Sequence, residues 1–217
     1  MMTSALEQLV RIPSDHLRIE ALLELPENAQ GIVLFAHGSG SNRHSPRNNY
    51  VARVLRDAGI GTLLIDLLTP QEDLLYKSQF DIPLLTKRLL DATEWVSQEP
   101  ATQHLPIAYF GSSIGAAVAL QAAVDSPHPI AAVVSRSGRV DLAGSGTLQN
   151  IHVPTLLLVG GFDYPVIELN QNAYEQMDCP KALTIIPGAT HLFEETGTRE
   201  QVAYQTTVWL KQYLQAA

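Results

Sequence analysis

The sequence predicts a doubly wound α/β fold with a mostly parallel sheet, and three observations carry that prediction. Six short apolar runs recur: "GIVLFA" (31–36), "GTLLID" (61–66), "IAYFG" (107–111), "IAAVVS" (130–135), "TLLLVG" (155–160) and "ALTIIP" (182–187). None alternates polar with apolar, the pattern of strands covered by helices on both faces. Stretches of helical period separate them, and strands alternating with helices form an open sheet whose right-handed crossovers send the parallel strands' C-terminal ends to one edge.

Each element has its own signal. Ahead of the runs, "LRIEALLEL" does alternate, with Leu17, Ile19, Ala21, Leu23 and Leu25 on one side. That predicts an antiparallel strand near a sheet edge, paired with 6–12 through a turn at Pro13 to Asp15. After 31–36, Tyr50, Val51, Val54, Leu55 and Ala58 trace a helical stripe closed by Gly59. After 61–66, Ile82, Leu85, Leu89, Ala92 and Val96 trace another, behind Asp81 as its N-cap. The Ala-rich "IGAAVALQAAV" follows the run at 107–111, and the last helix carries Val202, Trp209, Leu210, Tyr213 and Leu214. The longest connection, 136–154, is too short for a helical cap domain, so the site at the strand ends is expected to be shallow and open. No repeat or linker interrupts the pattern, and one domain over 1–217 is expected.

Composition narrows the partners. Lys and Arg total 14 against 22 Asp and Glu, a formal charge of −8 that argues against nucleic acid and anionic membrane and for a small-molecule substrate. The single cysteine, Cys179, excludes an internal disulfide framework and a CxxC metal site. The opening "MMTSALEQLVRIPSD" has no basic, apolar leader, and no run reaches the ~20 residues that span a bilayer. A soluble, cytoplasmic chain is the expectation. Nothing in the sequence speaks to oligomeric state.

Gly111, Ser113 and Gly115 in "YFGSSIGAAVAL" match G-x-S-x-G, the nucleophile elbow. There a serine sits on a strained strand-to-helix turn with its Oγ lifted above the sheet edge, and a Cβ two residues before or after would collide. Ser113, not Ser112, has glycine at both positions. A serine hydroxyl needs a base, and the base needs a carboxylate to orient it. The chain order in such a fold is Ser, then Asp or Glu, then His. Asp163 in "GGFDYPV" and His191 in "PGATHLF" leave consecutive strand ends in that order. Asp141 and Asp66 also follow strands and are alternative acids, and Asp163 could instead cap the following helix. His152 and His128 precede Asp163, at strand entrances on the wrong edge.

Acyl transfer also needs N–H donors for an oxyanion, one from the residue after the nucleophile and one from an earlier strand-end loop. Ile114 supplies the first. The loop "AHGSGSNRHSPRNN" supplies the second, assigned to Ser39, with Gly38 or Gly40 as alternatives and Gly38 lying close enough to meet substrate. Four of ten arginines, Arg43, Arg47, Arg136 and Arg139, lie in two post-strand loops of this acidic chain. Arg43 and Arg136 are the candidates to bind a substrate carboxylate or phosphate; pairing of these arginines with Asp66, Asp141 or glutamates is the structural alternative.

In order and spacing, "GIVLFAHGSGSNRHSPRN", "GTLLIDLLT", "YFGSSIG", "LLLVGGFDYPVI" and "IIPGATHLFEE" resemble the dienelactone-hydrolase-like branch of the α/β-hydrolase superfamily, across about residues 17–215. The resemblance implies the α/β-hydrolase fold with about eight strands, a triad of Ser113, Asp163 and His191, and no required cofactor or metal. True dienelactone hydrolases use a cysteine nucleophile where this chain has Ser113. Thiolate and alkoxide differ in activation, so hydrolysis of ordinary carboxylic esters is expected rather than opening of dienelactone. An acyltransferase on the same three residues, or a ligand-binding module that has lost turnover, would share the sequence pattern. A dinucleotide-binding enzyme would not, because "HGSGSNR" lacks the third small residue of GxGxxG.

Overall fold

The computed structural model describes residues 6–38 and 40–214. Leu6–Ser14 (β1) and Leu17–Leu25 (β2) form an antiparallel hairpin in which Leu6 faces Leu25 and Ser14 faces Leu17. The turn is the Asp15–His16 pair, with Asp15 at φ 49°, and Pro13 lies within β1 opposite Arg18. The expected turn at Pro13 to Asp15 is thus moved toward the C-terminus. Proline is tolerated in β1 because it is an edge strand, where a missing N–H breaks no ladder.

Six more strands follow: Ile32–Ala36 (β3), Gly61–Ile65 (β4), Ile107–Ser112 (β5), Ile130–Arg136 (β6), Thr155–Gly160 (β7) and Lys181–Ile186 (β8). They form one eight-stranded sheet in the order β1-β2-β4-β3-β5-β6-β7-β8, antiparallel at β1–β2 and β2–β4 and parallel from there on. The helices are Pro46–Asp57 (α1), Pro70–Asp73 (α2), Tyr76–Gln79 (α3), Ile82–Gln98 (α4), Ile114–Asp125 (α5), Ser145–Asn150 (α6), Tyr164–Gln176 (α7) and Thr198–Tyr213 (α8). Asp81 caps α4, accepting from the Leu84 N–H at 3.1 Å. No helix among the described residues is long and apolar enough to cross a membrane.

The strand pleat explains the unbroken apolar runs. Ile32 and Leu34 point into one core with α4, α5 and α7, while Val33 and Phe35 point into a second core with α1 and α8. Each inward side chain fully buried contributes about 1.5–3 kcal/mol, so both faces of β3 demand apolar residues. Helix α5 is apolar almost all round because it lies between the sheet and α4, and its alanines permit the close approach. The Tyr109 hydroxyl is paired with Thr93 Oγ1 at 2.7 Å beneath it, and burial pushes that phenol up to about 12.

The 136–154 connection folds as a 3₁₀ turn at Val140–Ala143 and α6, with no cap domain. A small cover arises elsewhere, from α2 and α3 between β4 and α4. A capping box of Thr69 and Glu72 starts α2, and the buried Arg88 on α4 donates to Glu72 at 2.9 Å, tying α2 down. Leu74, Leu75, Tyr76 and Phe80 of this cover are exposed.

Candidate active site

Strand β5 runs into α5 through Ser113, whose φ of 54° and ψ of −121° fall where a residue with a side chain is strained. Its neighbours hold it there: the Ser113 N–H donates to the Arg136 carbonyl at 3.1 Å, and the Ser113 carbonyl accepts from Arg139 N–H at 3.0 Å. The flanking glycines are demanded by packing. A Cβ on Gly111 would lie 2.5 Å from Ala116 Cα, and one on Gly115 would lie 2.5 Å from the Ala36 carbonyl carbon. Strand and helix meet backbone to backbone at this turn.

Asp163 and His191 leave β7 and β8, adjacent parallel strands, at the same edge as Ser113. Backbone bonds from Gly161 N–H to Ile186 O (2.8 Å) and from Phe162 N–H to Ala189 O (2.9 Å) join their loops. Asp163 stands at the N-cap position of α7 but makes no side-chain cap bond. Its carboxylate accepts instead from His191 Nδ1 at 2.6 Å, with Asp163 the more buried of the two. A neutral imidazole that donates from Nδ1 carries its lone pair on Nε2, the form a general base requires. Thr190 donates to Glu195 from both its amide and its hydroxyl, at 3.1 and 2.6 Å, which holds the loop carrying His191 and keeps the Glu195 carboxyl below its usual range.

The rival acids are engaged elsewhere. Asp141 takes two hydrogen bonds from Arg139, at 2.9 and 2.8 Å. Asp66 accepts from the Arg43 amide at 2.7 Å and pairs with the Arg43 guanidinium.

Ser113 and His191 line one cleft of about 240 Å³ with Gly38, Arg47, Arg136 and Leu192. Ile114 is the first residue of α5, so its N–H belongs to the unsatisfied first turn of the helix beside Ser113. Gly38 lies so close that a Cβ there would sit 3.0 Å from Ser113 Cβ. Ser39, the expected second donor, falls outside the described residues.

A second cavity of about 220 Å³ shares Gly38 and Ser41 with the cleft and continues over Leu67, Leu68 and Leu85 beneath α2. His37 also lines it. That imidazole is buried, its Nε2 has no hydrogen-bond partner, and burial pushes its pKa down against the pull of Asp66.

Arg43 is not brought to the cleft: its guanidinium pairs with Asp66 and with Glu20 of β2, the latter at 2.8 Å, the structural alternative for these arginines. Arg136 does line it, only 7% exposed. Arg47, one of the four clustered arginines, enters the cleft too, and so does Leu192, for which position next to His191 was the one signal in the sequence.

A scan against protein-family models finds no match. Among curated proteins, the chain is 50% identical over 208 residues to a Mycobacterium tuberculosis protein provisionally named a phosphoribosyl transferase, matching 96% of this chain and 47% of that protein. The chain spans about half the length of the curated relatives it matches at this level. Among solved structures, Est1E from Butyrivibrio proteoclasticus has the same fold, with a TM-score of 0.81 at 15% identity over 95% of this chain and 98% of that one. A dienelactone hydrolase from Anabaena variabilis superposes with a TM-score of 0.92 at 50% identity, covering 96% of this chain and 98% of its own. With the sheet order, the elbow and that degree of likeness, the chain belongs to the dienelactone-hydrolase-like branch of the α/β-hydrolase superfamily.

Proposed function

We propose that the protein is a serine hydrolase that cleaves carboxylic esters through an acyl-enzyme. The observation that carries this reading is the 2.6 Å bond between Asp163 and His191 in a loop that shares its cleft with the positive-φ Ser113. His191 Nε2 takes the proton of Ser113 Oγ as the oxygen attacks the ester carbonyl carbon. The Ile114 N–H, with a second donor from the loop that follows β3, holds the oxyanion of the tetrahedral intermediate. Collapse breaks the bond to the leaving oxygen, and His191 hands its proton to the departing alcohol. Water then attacks the acyl-enzyme, gives a proton to His191, and the acid leaves as Ser113 is restored. Asp163 fixes the imidazole tautomer and stabilises the imidazolium that forms twice in the cycle.

The cleft suits small acyl groups, and the adjoining cavity, where Leu67, Leu68 and Leu85 lie among polar residues that include Asp66 and Asp73, gives room for extended ones. The transferase name of the Mycobacterium relatives belongs to proteins about twice as long, whereas the groups gathered around Ser113 are those of acyl chemistry. A fluorophosphonate should label the wild type once, at Ser113, and p-nitrophenyl acetate should be turned over. Ser113→Ala should label nowhere and lose about 10⁶ in kcat, as removal of a triad serine does elsewhere. Turnover by Ser113→Ala well above the buffer rate would defeat the reading.

A further inference from the structure

We infer that the cleft selects esters carrying a dianionic phosphoryl group, which Arg136 and Arg47 hold beside Ser113. The inference rests on the hydrolase reading for its reaction and on the arginines for its specificity.

Arg136 is the last residue of β6 and pairs in register with Ser112, so the sheet itself fixes it next to the nucleophile. The residue is 7% exposed, its guanidinium lies 5.8 Å from the Phe110 ring, and among the described residues no carboxylate, carbonyl or hydroxyl accepts from it. A buried guanidinium normally finds a carboxylate, as that of Arg88 does and as the largely buried Arg43 and Arg56 do. Arg136 instead keeps its donors for whatever enters the cleft. Arg47, at the cleft wall, pairs with the exposed Glu194 at 3.1 Å through one nitrogen, and its buried Nε has no partner.

Charge decides between anions. Burial, with Arg47 and Arg199 close enough to repel it, pushes Arg136 down to about 10, which still leaves it charged at neutral pH. Arg199, at the start of α8, also has a buried Nε without a partner and pairs with no acid among the described residues. Among these three guanidinium groups the one ion pair within the described residues is Arg47 with the exposed Glu194, and of the three it is Arg136 and Arg47 that line the cleft. A carboxylate has two oxygens in one plane and suits one guanidinium; a phosphate monoester dianion carries a second charge and a third oxygen, enough to accept from both Arg136 and the free Nε of Arg47, which reach the cleft from different elements. Ser112 and Ser41 line the same cleft and add hydroxyl donors.

The test separates the anion site from the reaction. Inorganic phosphate is titrated by calorimetry into Ser113→Ala, and into the same protein carrying Arg136→Met or Arg47→Met. Phosphate should bind saturably to the first and at least about tenfold more weakly to each of the others, the loss expected for a charge-assisted pair. Arg47 is nearer the surface, so its variant decides the matter if Arg136→Met fails to fold. Acetate should bind more weakly than phosphate throughout. In the wild type, matched esters ending in phosphate, carboxylate or hydroxyl should rank in that order by kcat/KM, and the phosphate preference should collapse in Arg136→Met. No phosphate binding, binding indifferent to both arginines, or acetate binding as tightly as phosphate would each overturn the inference. Failure of the wild type to hydrolyse any ester or to take a fluorophosphonate would sink the hydrolase reading instead, and the calorimetry would still judge the anion site.

Discussion

Replacing Gly115 with alanine drives a methyl group into the end of β3. The new Cβ would lie 2.5 Å from the Ala36 carbonyl carbon and 2.9 Å from the His37 carbonyl oxygen, with the Ala36 oxygen nearer still. Comfortable contact begins near 3.4 Å, so α5 and β3 must part by about an ångström. Neither can easily do so. Ala36 is 1% exposed and opposes Gly111 in a strand held between β4 and β5, and α5 is packed against α4 on its far side. Alanine gains up to about 1 kcal/mol in a helix over glycine, whereas overpacking a core costs about 1–3 kcal/mol, and the upper end applies because the obstacle is backbone. We expect a net loss of about 2 kcal/mol in urea unfolding. A large fall in kcat toward p-nitrophenyl acetate should accompany it, since the displaced peptide leads into Gly38, against Ser113. Gly146→Ala in α6 is the control. Nothing lies within 4 Å of that Cβ, and the helix should gain up to about 1 kcal/mol with activity intact. If Gly115→Ala unfolds within about 0.5 kcal/mol of wild type and keeps its kcat, the steric account of the elbow is wrong.

Asp163→Asn should lower kcat by about 10⁴ while circular dichroism shows a nearly unchanged melt, because the amide can hold His191 in the wrong tautomer; a loss under about tenfold would deny Asp163 its orienting role. His37 sets a pH dependence of stability. Burial depresses its folded pKa below the ordinary 6.5, with Asp66 and Asp73 opposing, so the unfolded chain takes up the proton first as pH falls. This contribution is constant above about pH 6.5 and is lost progressively below it, and urea midpoints between about pH 7.5 and 5 should decline less steeply in His37→Gln than in wild type. Equal slopes in the two proteins would show that His37 titrates freely in the fold.

The strands were legible because their signal is local. β3, β4, β5 and β7 are buried along their whole length, and alternate side chains feed two cores, so the sequence reads as unbroken apolar runs. The cover formed by α2 and α3 was not legible for the opposite reason. Each is four residues long, α2 has no large apolar side chain, and Tyr76 of α3 is exposed like the flanking Leu74, Leu75 and Phe80, so no buried stripe repeats at helical spacing. What holds α2 is Glu72, which both closes its own capping box and meets Arg88 sixteen residues away on another helix. Only the first of those contacts has a short-range pattern to find.

The site divides along the same line. The elbow is a strand, a turn and a helix in sequence, and its glycines answer to atoms of the same turn as well as to β3. The arginines have no such local mark. Arg43 follows β3 and Arg136 ends β6, both at the active edge, yet Glu20 and Asp66 reach the first and no acid among the described residues reaches the second. Which of them is structural depends on carboxylates that arrive from β2 and from the end of β4, and on the absence of any at β6. An unpaired buried guanidinium weakens the fold, just as the positive φ of Ser113 does. Two destabilising features on neighbouring residues of paired strands share one explanation if the first receives a substrate's negative charge and the second presents the oxygen that attacks its ester.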